Sequence, residues 1–273
     1  MVTVIKKTLF CLMLTSNIAA HAKTVSGIVI EQSGGQPIAY VNIGVPGKDV
    51  GTVSKENGQY SISLEKVDGM DTLMFSCIGF EPFKIQVGEY LSKNIQNVKL
   101  NRRIINLREV VIVPRNSKLK FLGYHVKAST ILAGFGRNDN GYECGIIMKN
   151  NKNAFLKNLY LDVTVCDYDS VFYRLNIYKL AGKNQFENIL QQPIYINLSK
   201  DEIKSRKAID LSKYNIVTEG DFLVTLEHVR HLGKGGLYFR CRFPAKSYFK
   251  KTSQGKWGSA PLGMGMTVEA ETY

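Results

Sequence analysis

From residue 24 onward, apolar positions recur at every second residue, in short runs that end at Gly, Pro, Asn or Asp. That is the period of half-buried β-strands. Residues 25–30 predict a first strand, and Ser33, Gly34, Gly35, Gln36 and Pro37 a turn. Ala39, Val41 and Ile43 share one face of a second strand. After Gly51, Thr52 and Val53, the pair Asn57-Gly58 signals a tight turn. Tyr60, Ile62 and Leu64 then face one way, with Ser61 and Ser63 opposite. Residues 71–80 read as a mostly buried strand, and Phe83, Ile85 and Val87 continue the alternation. Val98 and Leu100 follow, and residues 110–113 close the unit. This makes about seven strands in about ninety residues, the size of a two-sheet sandwich.

The pattern resumes at Phe155. Leu159, Leu161, Val163 and Val165 share one face, with Tyr160, Asp162, Thr164 and Cys166 opposite. In residues 171–178 the inward positions are Val171, Tyr173, Leu175 and Ile177. Further strands are predicted at 193–197, 208–211, 221–229, 237–243 and 264–270, with a brief helix or turn starting near 198–202. Leu132 through Gly141 reads as a glycine-rich loop without the order of a phosphate-cradling loop. The fold class expected is all-β: a transthyretin-like seven-strand β-sandwich, then a second, jelly-roll-like β-sandwich. The divisions are a signal peptide at 1–22, the first sandwich at 23–113, a linker and partly ordered segment at 114–140 led by Pro114, and the second sandwich at 141–273.

The order G-x-V, G-Q-P-I-x-x-V-x-I, G-T, N-G-Q-Y, I-G-F and finally L-R-E-V-V-I-V over residues 24–113 resembles the carboxypeptidase regulatory-like domain, a sandwich common in exported Bacteroidetes proteins. One departure is Ser54-Lys55, where the family has Thr-Asp. The resemblance implies a module that elsewhere accompanies a zinc carboxypeptidase or precedes the plug of a TonB-dependent transporter. A zinc peptidase needs a His-x-x-Glu pair, which none of His125, His228 and His231 provides. A transporter barrel needs many more strands than the 160 residues after Val113 can supply. Residues 107–113 are therefore expected as a last strand. More loosely, residues 169–227 look like sandwich domains attached to other exported proteins of that lineage.

The N-terminus adds a compartment. Lys6 and Lys7 precede an apolar core from Leu9 to Ile18, and Ala20-His21-Ala22 has the small-x-small form of a cleavage site between Ala22 and Lys23. Export to the periplasm or the outer-membrane surface is expected, with no transmembrane segment in the mature chain. Cys77, Cys144, Cys166 and Cys241 allow three disulfide pairings, but each sits in an apolar strand context that suits a buried thiol.

The net charge of +13 is unevenly distributed. Residues 23–113 hold ten Lys and Arg against nine Asp and Glu, whereas residues 114–273 hold 24 against 14. A basic second half points to a polyanionic neighbour, either an envelope protein or an anionic glycan. Nucleic acid is not expected. Tyr238, Arg240 and Arg242 alternate with the apolar Phe239, Cys241 and Phe243, and Lys246, Lys250, Lys251 and Trp257 follow closely. Basic forks beside aromatic planes suit sulfated, uronic or phosphorylated sugars, so these seven residues are the candidate ligand site. Asp167 and Asp169 are too few for calcium, and His228 and His231 fall on opposite faces of a strand. No catalytic residue, metal or cofactor is expected. The chain reads as a non-enzymatic envelope accessory protein; the alternatives are a glycan- or peptide-acting hydrolase and a structural subunit of an outer-membrane complex.

Overall fold

A computed structural model of the chain describes residues 24–93, 97–103, 115–136 and 139–273. The signal segment expected at 1–22 with its cleavage site at Ala22 and Lys23, and the closing strand expected at 107–113, lie outside the described residues. The fold is all-β, with two separate apolar cores.

The first core lies between two sheets. One has the order Gln59–Ser63, Thr24–Glu31, Asn97–Leu100, the last pair running parallel. The other has the order Gly51–Val53, Asn42–Gly44, Thr72–Ser76, Phe83–Gln86. Alternation places Tyr60 and Ile62 inside against Phe75 and Leu73, while Ser61 and Ser63 stay exposed. Asn57-Gly58 makes the expected turn, with Gly58 at φ +76°, where a side chain would be strained. Two expectations change. The alternation through Val87 stops at Gln86, because Val87–Ser92 winds into a short helix that buries Val87 and Tyr90. The second strand is only Asn42–Gly44, because Tyr40 turns left-handed at φ +56°.

The second core is shared by three sheets. Seven strands form the largest: Gln185–Asn188, Ser170–Gly182, Phe222–His228, Glu143–Met148, Ser247–Lys250 and Gly258–Ala260 in order, with Ile194–Ser199 also beside Ser170–Gly182. Ile209–Asp210, Asn153–Leu161, Met266–Thr272 and Lys118–Gly123 form another, with Val217–Glu219 beside Asn153–Leu161. Val163–Cys166, Leu237–Arg242 and Gly263–Met264, with Leu132–Phe135, form the third.

The linker expected at 114–140 is thus largely sandwich: Lys118–Gly123 and Leu132–Phe135 each pair with a strand more than a hundred residues away in sequence. The second of these is the supposed glycine-rich loop, where Gly136 leaves room for the Tyr238 ring, whose hydroxyl lies 2.7 Å from where a side chain would begin. The run 159–166 does not keep one face throughout. Asp162 breaks it into strands of two different sheets, and a bulge between Val163 and Val165 turns Cys166 inward. A capping box between Ser199 and Glu202 starts the helix Lys200–Lys204, where a brief helix or turn was expected. Among the described residues Cys77, Cys144, Cys166 and Cys241 are free thiols, the last three of them buried. Among the described residues no helix is long and apolar enough to cross a membrane.

Candidate functional site

The seven-stranded sheet carries a charged row across four neighbouring strands. Register places Arg174 opposite Glu227, Glu227 opposite Glu143, and Glu143 opposite Lys250. All four are buried. Period-2 reasoning assigned Arg174, Asn176 and Tyr178 to the outward face of their strand, and they do point away from the second core. All three are nevertheless buried: the first sandwich covers Arg174, while Asn188 bonds Asn176, and Phe186 and Trp257 pack on Tyr178.

The row is neutral overall, but it sets two glutamates side by side, an arrangement that repels unless bridged. Asn176 supplies the bridge: its Nδ2 donates to Glu227 Oε2 at 2.8 Å and to Glu143 Oε1 at 3.1 Å. Arg174 donates to Glu227 Oε2 through Nε at 3.0 Å and Nη2 at 2.8 Å. Lys250 Nζ lies 2.7 Å from Glu143 Oε2, and Tyr178 and Thr225 donate to Glu143 Oε1. Burial pushes the Glu143 carboxyl up, but the Lys250 charge and these donors outweigh it and hold it below the ordinary carboxylate value. Burial opposes the Arg174 charge, and Glu227 more than compensates, so its pKa is raised. The Tyr178 hydroxyl is pushed up by burial and then by Glu143.

Arg174 also ties the two sandwiches together. Its Nη1 donates to the Tyr40 carbonyl at 2.7 Å, and its Nη2 to Asn42 Oδ1. The left-handed turn at Tyr40 accompanies this contact, and the Tyr40 ring packs on Phe172 and Tyr195 at 5.3 and 5.4 Å between centroids. Val53 and Val229 complete a small apolar cluster spanning the junction. Nearby, the loop 251–255 presses against the first sandwich: Gly47 N donates to Gln254 O at 2.9 Å, and Gln254 Nε2 to Ser76 Oγ at 2.7 Å. A side chain at Gly44 would begin 2.6 Å from the Ser253 carbonyl, so the close approach needs glycine there.

Beside this contact the two sandwiches part into a cleft of about 870 Å³. Met74, Ser76, Cys77, Phe80, Lys84 and Arg103 line it from the first sandwich; Asn188, Gln191, Phe186, Lys250, Gln254 and Trp257 are among those lining it from the second. Trp257 meets Phe186 and Tyr178 edge-on at 5.0 and 5.6 Å, and Lys250 Nζ sits 4.7 Å from the centre of its ring.

Residues 25–112 match the CarboxypepD_reg-like domain family. The first sandwich is a carboxypeptidase regulatory-like domain. The match ends before the second sandwich, and no curated protein matches the chain. The regulatory-like domain therefore supplies the Tyr40–Asn42 end of the junction and one wall of the cleft.

The seven candidate residues do not form one ridge. Tyr238, Arg240 and Arg242 lie on Leu237–Arg242 and point away from the core as expected, and Arg242 stacks on Tyr124 at 5.3 Å. Lys246 stacks on Tyr248 at 4.9 Å. Lys251 pairs with Asp49 of the regulatory-like domain at 3.1 Å. Lys250 and Trp257 come together in the cleft, Lys250 on a different sheet from Arg240 and Arg242. Lys250 is buried against Glu143, because its strand faces the junction. Sequence reasoning passed over Glu143, Arg174 and Asn176 as site residues. The available signal was faint: the face Phe172, Arg174, Asn176 and Tyr178 carries a single charge, few for a face meant for water.

Among the described residues no group of three His, Cys, Asp or Glu side chains could hold a metal. Asp167 accepts from Gly236 N at 2.9 Å and so closes a turn. His228 ends its strand buried, while His231 lies in the exposed loop beyond.

Proposed function

We propose that the chain is a non-enzymatic, exported accessory protein of the cell envelope. In this reading the regulatory-like domain is a docking module fixed on a basic second sandwich, and the pair binds an envelope partner or an anionic glycan. The observation that carries the reading is the cleft at the junction, where polar and aromatic side chains from both sandwiches converge. Its volume falls in the range of about 300–1,000 Å³ typical of ligand sites. A screen of the mature protein against anionic and neutral glycans at low and moderate salt tests it. Salt-sensitive preference for anionic sugars is expected, and its absence removes the glycan reading.

The hydrolase reading draws on Glu143 and Glu227, two carboxylates linked through Asn176. Hydrolysis asks one carboxyl to give a proton and the other to meet water or the sugar carbon. Both side chains are inaccessible and each is ion-paired with a neighbouring cation, which favours a structural role. The structural-subunit reading draws on Leu119 and Phe121, 55% and 62% exposed on a strand that pairs on one side only. Pull-down from envelope extract with a Leu119→Lys, Phe121→Lys variant as control tests that reading.

A further inference from the structure

We infer that the cleft is a two-module site for a short acidic oligosaccharide, with its charge supplied by the regulatory-like domain. The inference rests on the binding reading above and names the ligand class and the division of labour.

The charge argument comes from which cations are already neutralised. Arg174 is paired with Glu227, Lys250 with Glu143, and Lys179 with Glu187 at 2.9 Å. Lys84 and Arg103 also line the cleft, are exposed, and have no ion-pair partner among the described residues. The neighbouring Arg102 is held by Glu31 at 2.6 Å, so it is not available in the same way. Among the described residues, the uncompensated positive charge of the cleft therefore belongs to the regulatory-like domain.

The rest of the lining favours a sugar over a bare anion. Gln254 donates to Ser76 through Nε2, while its Oε1 accepts no hydrogen bond among the described residues. The amide of Asn42 accepts from Arg174 and Ser253 through Oδ1, which leaves its Nδ2 to donate. The Gln191 side chain has neither a donor nor an acceptor partner among the described residues. A ligand suited to this wall offers hydroxyls that donate and accept, together with carboxylates or sulfates for Lys84 and Arg103. Phe186 and Trp257 add ring surface for the C–H faces of a pyranose. The volume limits the occupant to a few sugar units rather than a long polymer segment.

The test measures binding of the full mature chain to oligogalacturonides of two to four units, matched neutral galacto-oligosaccharides and a glutamate-rich peptide. The expected result is salt-sensitive binding of the uronides alone. Lys84→Glu with Arg103→Glu should weaken it by at least ~30-fold, and Trp257→Ala by about tenfold. Both cations are exposed, so thermal melting should stay unchanged; Lys84→Gln with Arg103→Gln, if needed, gives the same comparison without charge reversal. Arg240→Glu with Arg242→Glu should leave binding intact. Uronide binding that survives the Lys84 and Arg103 changes, or is lost with Arg240 and Arg242, overturns the assignment to the cleft while keeping glycan binding. Equal binding of the peptide overturns the ligand class. Failure of every anionic sugar to bind removes the parent reading with it.

Discussion

Among the described residues of the regulatory-like domain, the buried polar side chains are Ser54, which donates to the Ile38 carbonyl and accepts from Val41 N at 2.8 Å, and the paired hydroxyls of Tyr60 and Tyr90, and none carries a charge. The second sandwich buries Glu143, Arg174, Glu227 and Lys250 on the face toward the first, besides Asp162, held by Arg206, and His228 elsewhere. Both are β-sandwiches with apolar cores of alternating residues, so alternation does not account for the difference. What differs is the outer face. Most of the first sandwich's outward residues meet water, whereas the second offers one sheet face as a platform and must satisfy every charge it covers. Burying a charge without a partner costs far more than burying a methyl group returns. The polar row is the chemistry of a face that receives another module.

The sharpest way to break this contrast is Arg174→Met. It strands Glu227 in the junction and removes the donors to Tyr40 and Asn42, and a loss of about 3–5 kcal/mol is expected in denaturant unfolding of the second sandwich. Adding Glu227→Leu should restore most of it, because replacing a buried pair by apolar groups is often neutral. If the single change costs less than about 1 kcal/mol, the row is not what holds the platform.

Acid should also separate the two halves. Burial, and then the charge of His231, depresses the His228 pKa to about 4, with Asp139 opposing in part. The unfolded chain takes up that proton near 6.5, the folded chain only near 4. Stability is therefore full above about pH 6.5 and declines toward pH 4, by on the order of 3 kcal/mol. Glu143, held below its ordinary value, adds stability above about pH 4.5 that is lost as the pH falls further. The regulatory-like domain has no histidine among its described residues, so its signal should outlast that of the second sandwich in an acid titration. His228→Phe should flatten the slope between pH 6.5 and 4.

Gly44→Val tests the fit of the two surfaces, since its side chain would collide with the Ser253 backbone. A cost of about 1–3 kcal/mol is expected, with faster proteolysis near residues 251–255. The smallest effect belongs to the exposed Lys251–Asp49 pair, whose coupling in a double-mutant cycle should stay below about 1 kcal/mol.

Much of the first sandwich was legible because its elements answer to local rules. Asn57-Gly58 turns where its backbone permits, and Tyr60 and Ile62 point inward because water lies on the other side. The brief helix or turn near 198–202 was legible for the same reason, and Ser199 and Glu202 cap it. The helix at Val87 was not, because the period-2 pattern runs on into it and its register is set by contacts such as Gly88 N to Gly69 O, far away in sequence. In the second sandwich, bulges near Lys157 and Thr164 shift the alternation by one residue, and no spacing rule announces them. The candidate ridge dissolved because residues close in sequence on either side of Pro244 belong to different sheets. The charged row escaped notice because its members are spread from 143 to 250 and meet only through strand register.

Arg174 also bears on how the chain comes to be made. The N-terminal module emerges first, from the ribosome or on the far side of a membrane, and domains tend to fold as they emerge. The seven described strands of the regulatory-like domain all lie before residue 101, so a module that folds as it emerges has the Tyr40 carbonyl and the Asn42 amide in position before strand Ser170–Gly182 follows. The earlier module then acts as a mould for the later one. It offers a waiting acceptor for the most demanding side chain of the second sandwich before that side chain has to leave water.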